Sequence, residues 1–123
     1  MNSLLSRRKA YQKGLWGEWV AFFFLKMKGY RFLAHRLKTP FGEIDLLFRQ
    51  GQTLVVVEVK VRSTLTQGLE ALTERAKKRL KNAVLFFLTR HIEYAYLNIR
   101  FDVIVLRPWR FPKHFSHLCF FDT

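Results

Sequence analysis

The stretch GEIDLLFRQGQTLVVVEVKVR, residues 42–62, holds two apolar runs joined at Gln50, Gly51 and Gln52. Both runs are rich in β-branched and large apolar residues, and the glycine-containing joint is short enough for a hairpin. We therefore expect strands over 42–49 and 53–62. Val55, Val57, Val59 and Val61 alternate along the second strand, so they share one face, and that face must be buried. Asp45, Glu58 and Lys60 fall on the opposite face. A three-residue connection is expected to set Asp45 opposite Glu58, and a two-residue connection to put Glu43 in that place.

Outward from the hairpin, residues 30–37 read as another strand, ended by Pro40. A helix is expected over 6–28, with Gly29 at its C-terminal cap and Leu15, Trp19, Phe22 and Phe23 at helical spacing. Gly14 and Gly17 inside it signal the close approach of another backbone or a ligand. Leu69, Leu72, Ala76, Leu80, Ala83 and Phe87 recur every three or four residues and predict a second amphipathic helix. Its outer face is expected to carry Arg75, Lys77, Lys78, Arg79 and Lys81. Residues 99–107 give one more strand, bounded by Pro108. The order α-β-β-β-α-β predicts an α/β fold, a central sheet covered by helices.

At 123 residues, with 50% hydrophobic side chains and no linker or repeat, the chain reads as one domain over 1–123 with an irregular aromatic tail from about 108. Cys119 is the single cysteine, which excludes a disulfide framework and a cysteine-based zinc site and fits a reducing, cytoplasmic setting. The run from Trp19 to Leu25 is too short to span a bilayer, and the basic start reads as neither a signal peptide nor an anchor. Twenty-two Lys and Arg against nine Asp and Glu give a net charge of +13. Such an excess repels itself in a compact chain and points to a polyanionic partner, nucleic acid first and DNA above all.

Against that charge, Glu43, Asp45 and Glu58 lie within sixteen positions of one another. Facing carboxylates repel, so their grouping needs a cation, and hard oxygen donors favour Mg²⁺ or Mn²⁺. Phosphodiester hydrolysis uses this set. Two carboxylates hold a divalent ion against the phosphate, and a lysine such as Lys60 orients water or offsets developing charge. Glu18, on the first helix beside Phe22 and Leu25, is the expected fourth group, holding a metal-bound water or an ion directly. Glu43, next to Gly42, is expected to cap the turn or pair with a base.

The ordered set Gly17-Glu18 with Ala21 and Leu25, Gly42-Glu43-Ile44-Asp45-Leu46, Val57-Glu58-Val59-Lys60 with Arg62, and Arg100-Phe101-Asp102-Val103 resembles the YraN family of small bacterial proteins. The resemblance covers residues 13–106. That family is similar to the PD-(D/E)XK nucleases and to archaeal Holliday junction resolvases. The resemblance implies a restriction-endonuclease-like core with a central mixed sheet. It also implies that Glu18, Asp45, Glu58 and Lys60 form the catalytic set and that the Val59 carbonyl is a further metal ligand. The implied activity is Mg²⁺- or Mn²⁺-dependent cleavage of DNA, at branched or distorted structures; the alternative is a non-catalytic DNA-binding role in repair, recombination or uptake.

Arg36, Lys38 and Arg62 near the hairpin, with Lys77, Lys78 and Lys81 on the second helix, are the cations expected to meet phosphates without reading sequence. Arg100 and Asp102 share a strand face and are expected to pair or to brace the site. His114 and His117 read as incidental. The tail, with Phe111, Phe115, Phe120 and Phe121, is expected to pack on the core or on a second copy of the chain as a homodimer, with Cys119 as a small apolar residue.

Overall fold

The computed structural model describes the backbone of residues 3–121 and the side chains of residues 14–118. Helix α1 (Ser3–Met27) is followed by β1 (Arg31–Thr39), β2 (Gly42–Gln50), β3 (Thr53–Val61), α2 (Leu65–Glu70), α3 (Glu74–Arg90), a 3₁₀ turn (Ile92–Tyr94), β4 (Asn98–Leu106) and β5 (Lys113–Phe121). The strands form one mixed sheet in the order β1-β2-β3-β4-β5. Only β3 and β4 run parallel, because the helices α2 and α3 carry the chain back between them. The fold is thus α/β, as expected. No helix among the described residues is long and apolar enough to cross a membrane.

The sheet has a core on each side. On one, α3 buries Leu80, Ala83, Val84 and Phe87 against Ile44, Leu47, Leu54, Val56, Phe101 and Val103. On the other, α1 buries Ala21 and Leu25 against Leu46, Phe48, Val55, Val57 and Ile104. The inward line of α1 runs through Gly17, Glu18, Ala21 and Leu25, while Trp19 and Phe23 stay largely exposed. Small residues let this helix lie close to the strands. A Cβ on Gly17 would come within 2.7 Å of Val61 and 3.0 Å of Leu106. The expected face through Trp19 and Phe23 is therefore corrected: apolar residues surround this helix, and size chooses the buried side.

Three further expectations are revised. The single long second helix is two helices, because the Thr73 hydroxyl accepts the Ala76 N–H and starts α3 afresh, as Thr64 does for α2 from Gln67. The irregular tail from about 108 is instead a loop followed by β5, antiparallel to β4. Its alternation is hidden by His117 at φ 59° and by a register shift opposite Phe101 and Val103. Cys119, Phe120 and Phe121 have side chains outside the described residues, so their packing is not assigned. Finally, the hairpin turn has two residues, Gly51 and Gln52, and pairs Gln50 with Thr53 and Leu46 with Val57. One step further along that register lies Asp45 beside Glu58, so the two-residue turn brings Asp45, not Glu43, to this position.

Candidate active site

The β2–β3 ladder stops at Leu46 and Val57. Beyond it the strands part, and the Val59 N–H donates to Asp45 Oδ2 at 2.8 Å. A side chain thus replaces the carbonyl that a continuing ladder would offer, satisfying the backbone while drawing the carboxylate into the gap. Strict alternation in β2 breaks here, since Ile44 packs on the α3 side and Leu46 on the α1 side. Asp45 therefore sits at a fork in the sheet.

Glu58, 5% exposed, lies at the same fork. Its Oε1 accepts from Lys60 Nζ at 3.1 Å and has Arg79 Nη2 at 3.7 Å. Its Oε2 is buried without a hydrogen-bond partner among the described residues. Burial first and the Glu58 charge second push the Asp45 carboxyl up to about 7, with Glu18 adding to the rise and the Val59 N–H and Lys60 opposing it. Glu58, buried with one oxygen unsatisfied, and half-buried Asp45 beside it form an oxygen-rich site whose nearest cations, Lys60 and Arg79, both reach Glu58 Oε1.

That donor set fits a hard divalent cation. Glu58 Oε2 has no hydrogen-bond partner among the described residues, Asp45 has an oxygen not engaged by Val59, and Val59, whose N–H holds Asp45, directly follows Glu58. Among the described residues, no group of three His, Cys, Asp or Glu side chains lies close enough to hold an ion alone. Glu18 accounts for this. Its two oxygens accept from His35 Nε2 at 2.8 Å and from Arg36 Nε and Nη2 at 2.9 and 3.1 Å. Glu18, expected to hold a metal-bound water or an ion, is clamped here by His35 and Arg36, and its charge raises the Asp45 pKa.

Asp45, Glu58 and Lys60 are brought together as their parity predicts. Arg36 turns inward to Glu18 and lies 3.9 Å from Glu43, which pairs with a base as expected. Lys38, Arg62 and Lys78 are exposed, Lys77 reaches Glu74 at 3.4 Å, and Lys81 is half-buried. Arg79 does not belong to the outer face. It crosses to the sheet, donates to the Glu43 carbonyl at 3.3 Å and approaches Glu58. Gly42, at φ 135°, makes room for it, since a Cβ there would stand 2.8 Å from the guanidinium. The sequence held a signal for this, because Arg79 is three residues after Ala76 and four before Ala83, on the buried stripe itself. His35 carried none. It is an isolated histidine on β1 until the fold sets it against Glu18.

Residues 17–106 match the family described as Uncharacterised protein family UPF0102. A UPF0102 protein of Chelativorans sp. is 47% identical over 93% of this chain and 92% of its own length. One of Mesorhizobium japonicum is 46% identical over 89% and 87%, and one of Parvibaculum lavamentivorans 47% identical over 87% and 80%. The chain belongs to this YraN-like family.

Proposed function

We propose that this chain is a nuclease that hydrolyses phosphodiester bonds in DNA with the help of a divalent cation, and that its sheet and helices form a restriction-endonuclease-like core. The observation that carries the reading is the fork between β2 and β3. There half-buried Asp45 lies beside buried Glu58, one Glu58 oxygen has no hydrogen-bond partner among the described residues, and Lys60 bonds to the other. Structural motives do not assemble like charges in this way; strain of this kind is kept where a ligand relieves it.

Asp45, Glu58 and the Val59 carbonyl would hold the cation, Mg²⁺ or Mn²⁺. When bound, it would polarise the scissile phosphate and lower the pKa of water. The protein's own groups do the rest. Val59 N–H holds one oxygen of Asp45, which limits the rotamer freedom left to lose on binding and leaves the other oxygen for the cation. Lys60, anchored on Glu58 Oε1, offsets the charge that builds on the phosphate as water adds and the strand's P–O bond breaks. Arg36 and His35 clamp the Glu18 side chain, and Arg79 tethers α3 to the fork. The net charge of +13 supplies attraction to any phosphate backbone, with exposed Lys38, Arg62 and Lys78 near or on the elements that build the site.

Purified protein incubated with linear, flap and four-way DNA in Mg²⁺ and in Mn²⁺ tests the reading. Cleavage is expected, abolished by Asp45→Ala, Glu58→Ala or Lys60→Ala and reduced less by Glu18→Ala. If the wild type leaves every DNA and RNA structure intact with both metals but still binds them, the chain is a nucleic-acid-binding protein that does no hydrolysis.

A further inference from the structure

Between α1, the end of β3 and the loop that joins β4 to β5 lies an open groove of about 810 Å³. Trp16, Trp109 and Phe111 border it and are 63%, 102% and 90% exposed. Large aromatic faces left in water at one place mark a binding surface rather than a core. The loop is built to hold them there. Pro108 and Pro112 limit its backbone, and Trp109 sits at φ 59°, a conformation that a bulky residue adopts at a cost.

The other polar lining is cationic. Among the described residues, Arg107 and Arg110 line the groove and no acidic residue does, and the Nε of Arg107 is buried without a hydrogen-bond partner. Arg62 follows Val61 at the groove's β3 side, and the sequence of α1 before Trp16 carries Arg7, Arg8, Lys9 and Lys13 with no acid. Aromatic planes beside guanidinium groups are the surface on which unpaired bases stack while their phosphates find cations. A second copy of the chain would bring the same positive charge against itself.

The groove also has the right address. The elements it shares with the fork are β3, where Val61 follows Lys60 with its side chain on the other face of the sheet, and α1, which Gly17 brings onto Val61 next to Glu18. We infer that the groove binds an unpaired stretch of the DNA strand next to the bond at the fork, its bases stacked on Trp109, Phe111 and Trp16. This rests on the nuclease reading and narrows its substrate to DNA with single-stranded nucleotides adjoining the cleaved bond.

The test uses the full chain in chelator, with blunt duplex, duplex carrying a single-stranded extension, and the same extension labelled with 2-aminopurine. The wild type should bind the extended DNA at least tenfold more tightly than blunt duplex, and the probe's fluorescence should change as its stacking partner changes. The Trp109→Ala/Phe111→Ala pair should lose that preference and keep duplex binding; its melting temperature should match the wild type, since both side chains lie in water. Trp109→Tyr should restore most of the preference. In Mg²⁺ or Mn²⁺ the pair should retain cleavage at a reduced rate. Equal affinity for blunt and extended DNA overturns the inference and leaves the nuclease reading standing. A double variant that becomes monomeric while the wild type is a dimer, with the DNA preference unchanged, also overturns it and assigns the groove to self-association. Absence of cleavage by a wild type that keeps the preference sinks the nuclease reading and not the base platform.

Discussion

Asp45 and Asp102 stand on β2 and β4, the two strands that flank β3, and the protein treats them in opposite ways. Asp102 is fully enclosed and surrounded by donors. Arg100 grips it with Nε and Nη2, each at 2.8 Å; His114 Nε2 donates at 2.7 Å and the His117 N–H at 3.1 Å. Arg100 is satisfied in turn by Tyr30 and Gln50, at 2.8 Å each. Burial works against the Asp102 carboxylate, but the donated hydrogen bonds and Arg100 outweigh it and hold its pKa below the usual range. Asp45 has one backbone donor and a carboxylate neighbour, and its pKa goes up to about 7. A buried charge with every lone pair engaged is architecture; one left short of partners is a place for a ligand.

The largest consequence lies at Asp102. Asp102→Ala strands Arg100 in the interior, and breaking a buried pair this way costs about 3–5 kcal/mol. Denaturant unfolding at pH 7 measures it. Because the folded pKa is depressed, the stabilisation is present above the unfolded value near 3.8 and is lost as pH falls through the folded one. A variant that unfolds like the wild type would break the contrast, since the cluster would then be as dispensable as a surface pair.

Asp45→Asn should act in the other direction. Its folded pKa is raised, so between about 4 and 7 the folded state binds more protons than the unfolded chain and stability falls as pH rises. At pH 8 in chelator the wild type carries the whole penalty. At about 1.4 kcal/mol per unit the shift sets an upper bound of several kcal/mol, and shared titration with Glu58 brings the expected gain for the variant to roughly 1–2 kcal/mol. The gain should shrink to nothing near pH 4. Melts of both proteins across this range decide it, and a variant that is less stable at pH 8 would make Asp45 a second Asp102.

The hairpin, its valine face and the convergence of Asp45, Glu58 and Lys60 were legible because a period of two, a turn glycine and residue parity are local properties. What the chain hid is nonlocal. His114 and His117 read as incidental, yet both close the Asp102 cluster, His114 through its side chain and His117 through its backbone N–H. The pairing of β4 with β5 that brings them there includes a register shift that blurs the alternation. Glu18 could be placed on a helix from spacing, but its clamp by His35 and Arg36 depends on how α1 crosses β1, with Arg36 at φ 52° on that strand. Even the connection length, read as three residues for Asp45, is two, because Gln50 stays in the ladder with Thr53.

Divalent cations sharpen the comparison further. Mg²⁺ in the millimolar range should raise the melting temperature of the wild type in a concentration-dependent way and leave Asp45→Asn and Glu58→Gln nearly unmoved; a concentration 100 times Kd would give about 2.7 kcal/mol and tenfold Kd about half that. The proton that Asp45 carries near neutrality competes with the ion, so the wild-type response should be larger at pH 8 than at pH 6. An equal response from Asp45→Asn would place the ion elsewhere, away from the fork.

The smallest effect is expected at Glu43, two residues from Asp45 and different from it in every physical respect. Its side chain is 39% exposed and its contact with Arg36 is 3.9 Å long. An exposed pair at that distance gains little, because water screens the charges and holding two long side chains costs entropy; such pairs contribute about 0–1 kcal/mol. Glu43 gives the site its backbone instead, through the carbonyl that accepts from Arg79. Glu43→Gln keeps that carbonyl and the shape of the side chain, so its melting temperature, its Mg²⁺ response and its rate of DNA cleavage should all stay close to wild type. Cleavage assays run beside Asp45→Asn give the readout. A tenfold loss in Glu43→Gln would show that its carboxylate reaches the reacting phosphate, and the boundary between the buried site and the hairpin surface would have to move outward to include it.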